Sequence, residues 1–187
     1  MDLPCLLRPK NKQPLSKFLG KAIPLLAFLL AVGAYGFDRY RFGIETQEDP
    51  CLPGARVYLI DTYNTEPERG GVFAFGSRWM APFYEDGTTI IKVMDGLPGD
   101  TAVVSEEKTT INGEVVAEGL TLKTKINRPE SEFIRTRIIP QGSYWFSGKT
   151  DISFDSRYWG YVKQEQLIGR AYPLYALTHF IEFFEKS

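Results

Sequence analysis

An all-β domain of antiparallel strands behind one N-terminal apolar helix is the fold class this sequence predicts, on three observations. Residues Ala22 to Phe37, AIPLLAFLLAVGAYGF, carry no charge. Beyond them, apolar runs of strand length alternate with turn signals, and no long amphipathic helical period appears. Aromatics make up 14% of the chain, with 17 Gly and 12 Pro to punctuate it. The 187 residues fit one domain with a sizeable core, and the net charge of -1 gives no basis for nucleic-acid binding.

The N-terminal segment comes first. Residues 1–21 hold Arg8, Lys10, Lys12, Lys17 and Lys21 against Asp2, which leaves the rest of the chain acidic. As a helix the charge-free run is about 24 Å long, and Phe18, Leu19 and a snorkelling Lys21 extend it toward the bilayer core of about 30 Å. Five basic residues ahead of a run that is apolar all round argue against a buried soluble helix. A cleaved signal peptide stays open, because AVG offers a small-x-small site. The leader is long for a signal peptide, so the preferred reading is a basic cytoplasmic leader over 1–21 and an uncleaved transmembrane anchor over 22–40. The positive-inside rule then puts the N-terminus in the cytoplasm and residues 41–187 on the far side of the inner membrane. This topology separates Cys5 from Cys51, and leaves Cys51 an unpaired thiol facing an oxidising compartment. A buried cysteine acting as a small hydrophobe is the plainer alternative.

The strands follow in order: ARVYLID, GVFAF, TTIIKVM, TAVVSEE, TTINGEVV, FIRTRIIP, SYWFSG and QLIGRAYPLYAL, all rich in Val, Ile, Thr, Tyr and Phe. Between them stand the breakers NTEPERGG, YEDG, GLPGD, ING, RPES and PQG. The β domain therefore runs from about residue 50 to 178. RWMAPFY, Arg78 to Tyr84, is either a tip packed inward or an apolar edge dipping into the bilayer interface, where Trp and Tyr are favoured. The closing THFIEFFEKS has apolar residues at helical spacing.

Three segments carry the chemistry. Cys51-Leu52-Pro53 opens a strand soon after the anchor. IIKVMDGLPGDTAVV sets Lys92 among apolar residues before a Gly-Leu-Pro-Gly-Asp turn, and SFDSRYWGYV runs from Ser153 to Val162. With the TINGEVV hairpin, their order and spacing resemble the type I signal peptidase family of membrane-bound serine proteases. The match is nearest its conjugative-transfer branch, the TraF-like pilin-maturation peptidases. The resemblance covers about residues 18–175. It implies a signal-peptidase-like antiparallel β domain, residues 41–187, held on the periplasmic face of the bacterial inner membrane. This domain would cleave an exported precursor, such as a conjugative pilin, with a nucleophile and a lysine base and without metal or cofactor. A general signal peptidase, or a silent precursor-binding scaffold of a secretion apparatus, are the alternatives.

Carried over residue by residue, the nucleophile position falls on Cys51 and the base on Lys92. Ser153 resembles the serine that orients the lysine, and Asp155 and Arg157 resemble a bracing ion pair with Ser156 between them. The plain reading of these four is a polar turn with an exposed salt bridge, and that of Lys92 is an outward residue on an alternating strand. The family's serine is a cysteine here, and no serine lies between Ser16 and Ser77 to replace it. Sulfur relaxes the demand on the base, since a thiol is already a few per cent ionised at neutral pH. A lysine acts as a base there once desolvation disfavours its ammonium form.

Other positions depart as well. Val93 stands where arginine is common, Gly148-Lys149-Thr150 replaces Gly-Asp-Asn, and Gly71 replaces a frequent aspartate. Asp49 stands where many relatives place a hydroxyl donor for the oxyanion. The single histidine, His179, follows the last strand in an apolar segment and is assigned a packing or surface role. With so few His and Cys a zinc site is not expected, and no phosphate-binding loop motif is present.

Overall fold

The computed structural model describes residues 14–46 and 50–178. Cys5, Asp49, His179 and nearly all of the closing apolar segment lie outside them. The chain divides into two compact units, Met1–Arg39 and Tyr40–Ser187.

In the first unit, α1 spans Leu15–Arg39, 25 residues, and contains the whole charge-free run. At 1.5 Å per residue it is about 37 Å long, more than a hydrocarbon core requires. None of its residues is buried, and Phe18, Ile23, Leu26, Phe28 and Leu30 all stand exposed around its circumference. Length and composition suffice to cross a membrane.

The second unit is built of antiparallel strands in two sheets. The larger has the order β1-β2-β11-β3-β4-β9-β10. Its strands are β1 Tyr40–Ile44, β2 Val57–Asp61, β3 Val72–Gly76, β4 Thr89–Gly96, β9 Ser143–Ser147, β10 Val162–Lys163 and β11 Leu167–Pro173. The smaller sheet, ordered β7-β6-β5-β8, contains β5 Thr101–Val104, β6 Lys108–Ile111, β7 Glu114–Glu118 and β8 Arg135–Ile138. Two single-turn helices, α2 Lys123–Ile126 and α3 Ser156–Trp159, lie in the β7–β8 and β9–β10 connections. The expected hairpin TTINGEVV is β6 and β7, turning at Asn112 and Gly113, both with positive φ, as a two-residue hairpin turn requires.

Period-two alternation divides the core. Ile90 and Met94 of β4 join Phe73, Phe75, Trp145 and Phe146 in the main cluster. Ile91 packs against a second cluster of Ala55, Tyr58, Ile60, Ala74 and Ala171. RWMAPFY lies in the connection between β3 and β4 with mixed exposure: Met80 is buried and the Phe83 ring lies tilted against Phe154 with centroids 4.4 Å apart, whereas Trp79 is 85% exposed. Inward packing thus describes Met80, and Trp79 is left on the surface.

Candidate active site

Lys92 lies in the middle of β4, opposite Phe73 of β3, on the inward face with Ile90 and Met94. It is 1% exposed, so the strand turns a lysine into the domain rather than outward. Its Nζ donates to Ser153 Oγ at 2.9 Å, and Ser153 is itself fully buried. Cys51, 6% exposed, sits in the connection between β1 and β2. Cys51 and Lys92 line one cavity of about 230 Å³, walled also by Ile44, Tyr58, Tyr84 and Ile90.

Main chain helps to hold the thiol segment. The Lys149 backbone N–H donates to the Cys51 carbonyl at 2.8 Å. Gly148, just before it, is packed so closely that a Cβ would overlap Ser153 Oγ and Cβ and come within 3.3 Å of the Cys51 carbonyl oxygen. The glycine is therefore what lets Ser153 approach the thiol loop.

Asp155, Ser156 and Arg157 are completely buried, not an exposed polar turn. Asp155 caps α3, accepting from the Arg157 backbone N–H at 3.2 Å. Its carboxylate also accepts from Arg157 Nε at 2.8 Å, from Nη2 at 2.9 Å and from the Gly148 N–H at 3.1 Å. Arg157 donates further to the carbonyls of Glu118, Gly119 and Ser153. Burial alone would lower the guanidinium's pKa, but the Asp155 carboxylate beside it outweighs burial and raises it. Ser156 Oγ accepts from the Phe146 N–H at 2.9 Å, tying α3 to β9.

Two features were not foreseen. Lys149 reaches Asp95 on β4, with Nζ at 3.0 and 3.1 Å from its two oxygens, so β4 and the loop after β9 are joined although Val93 and Lys149 break the expected charge pattern. Burial raises the Asp95 carboxyl against the pull of Lys149. The second is Tyr58. Its hydroxyl donates to the Ala55 carbonyl at 3.1 Å and is pushed up to about 12, first by burial and then by Glu45, Tyr175 and Cys51. The complementary pair Asp95 and Lys149 was discoverable as a charge exchange between two motif segments; nothing in the pattern around Tyr58 marked it.

A fully buried lysine held by a serine, lining one cavity with a cysteine on an antiparallel β frame, is an arrangement chemically capable of acyl transfer with an amine base. The family described as signal peptidase, peptidase S26, matches residues 15–175, and the chain belongs to that family and is a peptidase. A probable signal peptidase I-2 of Synechocystis sp. is 29% identical, over 82% of this chain and 70% of its own length. The signal peptidase I of Pseudomonas aeruginosa is 28% identical, over 92% of this chain and 76% of its own. A crystal structure of a signal peptidase I from Enterococcus faecalis aligns with 56% of this chain and 96% of that one at 29% identity, with a TM-score of 0.37.

Proposed function

We propose that this protein is a membrane-anchored endopeptidase that cleaves an exported precursor through a Cys51–Lys92 dyad. The observation that carries the reading is that both residues line one cavity while Ser153 accepts a hydrogen bond from the lysine Nζ. Cys51 Sγ attacks the scissile carbonyl, and Lys92 takes the thiol proton. The negative charge on the carbonyl oxygen is met by backbone donors, the Cys51 N–H among them. As the C–N bond breaks, Lys92 returns the proton to the departing amine, leaving a thioester on Cys51. Water, deprotonated by Lys92, then releases the acid and the thiol. Ser153 orients Lys92, and the Asp155–Arg157 pair with Ser156 fixes Ser153 and α3.

The excess of basic residues in the leader supports an orientation with the N-terminus in the cytoplasm and the catalytic domain in the periplasm. The substrate we propose is a conjugative pilin, on the resemblance of the Cys-Leu-Pro segment and the compact stretch between GLPGD and SFDSR to the pilin-maturation branch. A general signal peptidase is the second reading, favoured by the names of the relatives above.

The test is precursor processing in cells. Cys51→Ala and Lys92→Ala accumulate uncut precursor, and Cys51→Ser retains part of the activity. Normal processing by Cys51→Ala refutes the dyad. Mass spectrometry of the pilin separates the substrates: an unchanged pilin alongside uncut secreted proteins selects the general peptidase. A pilin lighter by one water than the trimmed linear chain reveals that its own amine intercepts the thioester.

A further inference from the structure

A second cavity, also about 230 Å³, borders the thiol loop without including Cys51. Its lining includes Leu52 and Pro53, the two residues directly after Cys51, together with Val72, Lys149, Pro173 and Tyr175. Leu52 and Tyr58 line both cavities and form the partition between them. Tyr175 is 56% exposed and overhangs Gly54, where a Cβ would meet its ring carbon Cε1 at 3.9 Å. Gly54 has a φ of 92°, so the backbone there favours a residue without a side chain.

We propose that this second cavity is the subsite for an apolar side chain on the departing, amine-side half of the substrate. The proposal rests on the peptidase reading. An acyl group bonded to Sγ occupies the space that Cys51 faces, which is the cavity shared with Lys92. An extended peptide crossing Sγ advances about 3.3 Å per residue. Its first or second residue beyond the scissile bond therefore reaches a wall made by the residues next to the nucleophile. The lining selects the chemistry. Leu52, Pro53, Val72 and Pro173 are apolar, and the Lys149 ammonium is engaged by Asp95 at 3.0 Å, so that its alkyl stem is what the cavity meets. Tyr58 supports the shared partition: its hydroxyl feels Glu45 and Cys51 from the first cavity and Tyr175 from the second.

The departing half can be probed in reverse, as the amine that attacks the acyl-enzyme. The full chain in detergent is acylated with p-nitrophenyl acetate: Sγ bonds to the acetyl carbon and p-nitrophenolate leaves, giving a coloured burst. Water converts the acetyl thioester to acetate. An amino-acid amide instead forms the C–N bond, breaks the C–S bond and yields its proton to the site as the thiol re-forms. Leucinamide and phenylalaninamide are expected to divert the acyl group saturably and about tenfold better than glycinamide, the worth of one apolar side chain in a pocket. Aspartamide and lysinamide divert it no better than glycinamide. Tyr175→Ala narrows the ratio of phenylalaninamide to glycinamide products.

Equal partition among all amides, with a normal burst, overturns the subsite and leaves the peptidase reading standing. So does a Tyr175→Ala variant that changes the relative bursts of acetyl and hexanoyl esters but not the amine ratio, since that puts the cavity on the acyl side. A burst that is absent, or that Cys51→Ala shares, overturns the peptidase reading itself, and the subsite with it.

Discussion

Replacing Gly148 with alanine adds one methyl group at the tightest point of the site. That carbon would overlap Ser153 Oγ and Cβ and lie 3.3 Å from the Cys51 carbonyl oxygen. Non-bonded heavy atoms rest at about 3.5–4.0 Å, so Ser153 must withdraw by about 1 Å or more. Starting from 2.9 Å, the Lys92–Ser153 separation then reaches about 4 Å, beyond a hydrogen bond. A displacement of about 1 Å at a reacting group costs on the order of 10²-fold in rate, about 2.7 kcal/mol of barrier. Overpacking lowers stability by about 1–3 kcal/mol as well. The p-nitrophenolate burst reads the first effect and thermal unfolding the second. Gly148→Ala combined with Ser153→Gly removes the clash without restoring the hydroxyl, so melting recovers while acylation stays slow. Gly148→Ala alone with wild-type burst and melting refutes the reasoning; so does full recovery of acylation in the double variant, which would show that the serine hydroxyl is dispensable.

Two further perturbations test the frame. Asp155→Asn leaves the Arg157 guanidinium fully buried without its carboxylate, a loss of about 3–5 kcal/mol read by urea unfolding; an unchanged midpoint would mean that the carbonyl acceptors around Arg157 suffice. Burial alone would push the Asp100 carboxyl up, but hydrogen bonds from the Leu97 N–H, Asn112 and Arg69 outweigh it and hold the pKa below the ordinary value of 3.8. Because the folded pKa is depressed, its contribution is present above the unfolded value and is lost as pH falls through the folded one. Asp100→Asn should flatten the loss of stability in that acid range, and an identical acid limb in variant and wild type would contradict the assignment.

Much of the strand set was legible because each strand carries its own evidence: β-branched and aromatic residues between breakers, as in VYLID, VFAFG and SYWFS. β1 was not, because Tyr40–Ile44 follows α1 without a turn signal and its pairing with β2 is set by tertiary contact. β10 has two residues and α3 one turn, too short for any period to show. The division into two sheets was hidden for another reason. β11 pairs with both β2 and β3, more than ninety positions away, and nothing local encodes such a partner. At the site, alternation groups Ile90, Lys92 and Met94 on one face but does not say that the face is inward. Resemblance supplied that expectation. Burial of the whole 153–157 segment was equally invisible, since Ser-Phe-Asp-Ser-Arg reads locally as a solvated turn.

The two charge pairs at the site act differently. Lys149 and Asp95 side chains are 40% and 10% exposed, and a pair open to water on one side contributes little to stability, about 1 kcal/mol at most. Its effect is positional. Lys149 holds the Cys51 carbonyl with its main chain and the β4 strand with its side chain, so one residue couples the thiol segment to the strand bearing Lys92. Asp155 and Arg157, by contrast, are wholly buried, and such a pair persists only where its remaining donors and acceptors are satisfied. Here they are satisfied by Gly148, Glu118, Gly119 and Ser153, which fastens the serine behind the lysine to β7 and to the loop after β9. Lys149 reaches Cys51 through main chain, its N–H donating to the Cys51 carbonyl. That anchor does not depend on the side chain at position 51, so Cys51→Ser would leave the Lys149 N–H bond to the residue 51 carbonyl in place.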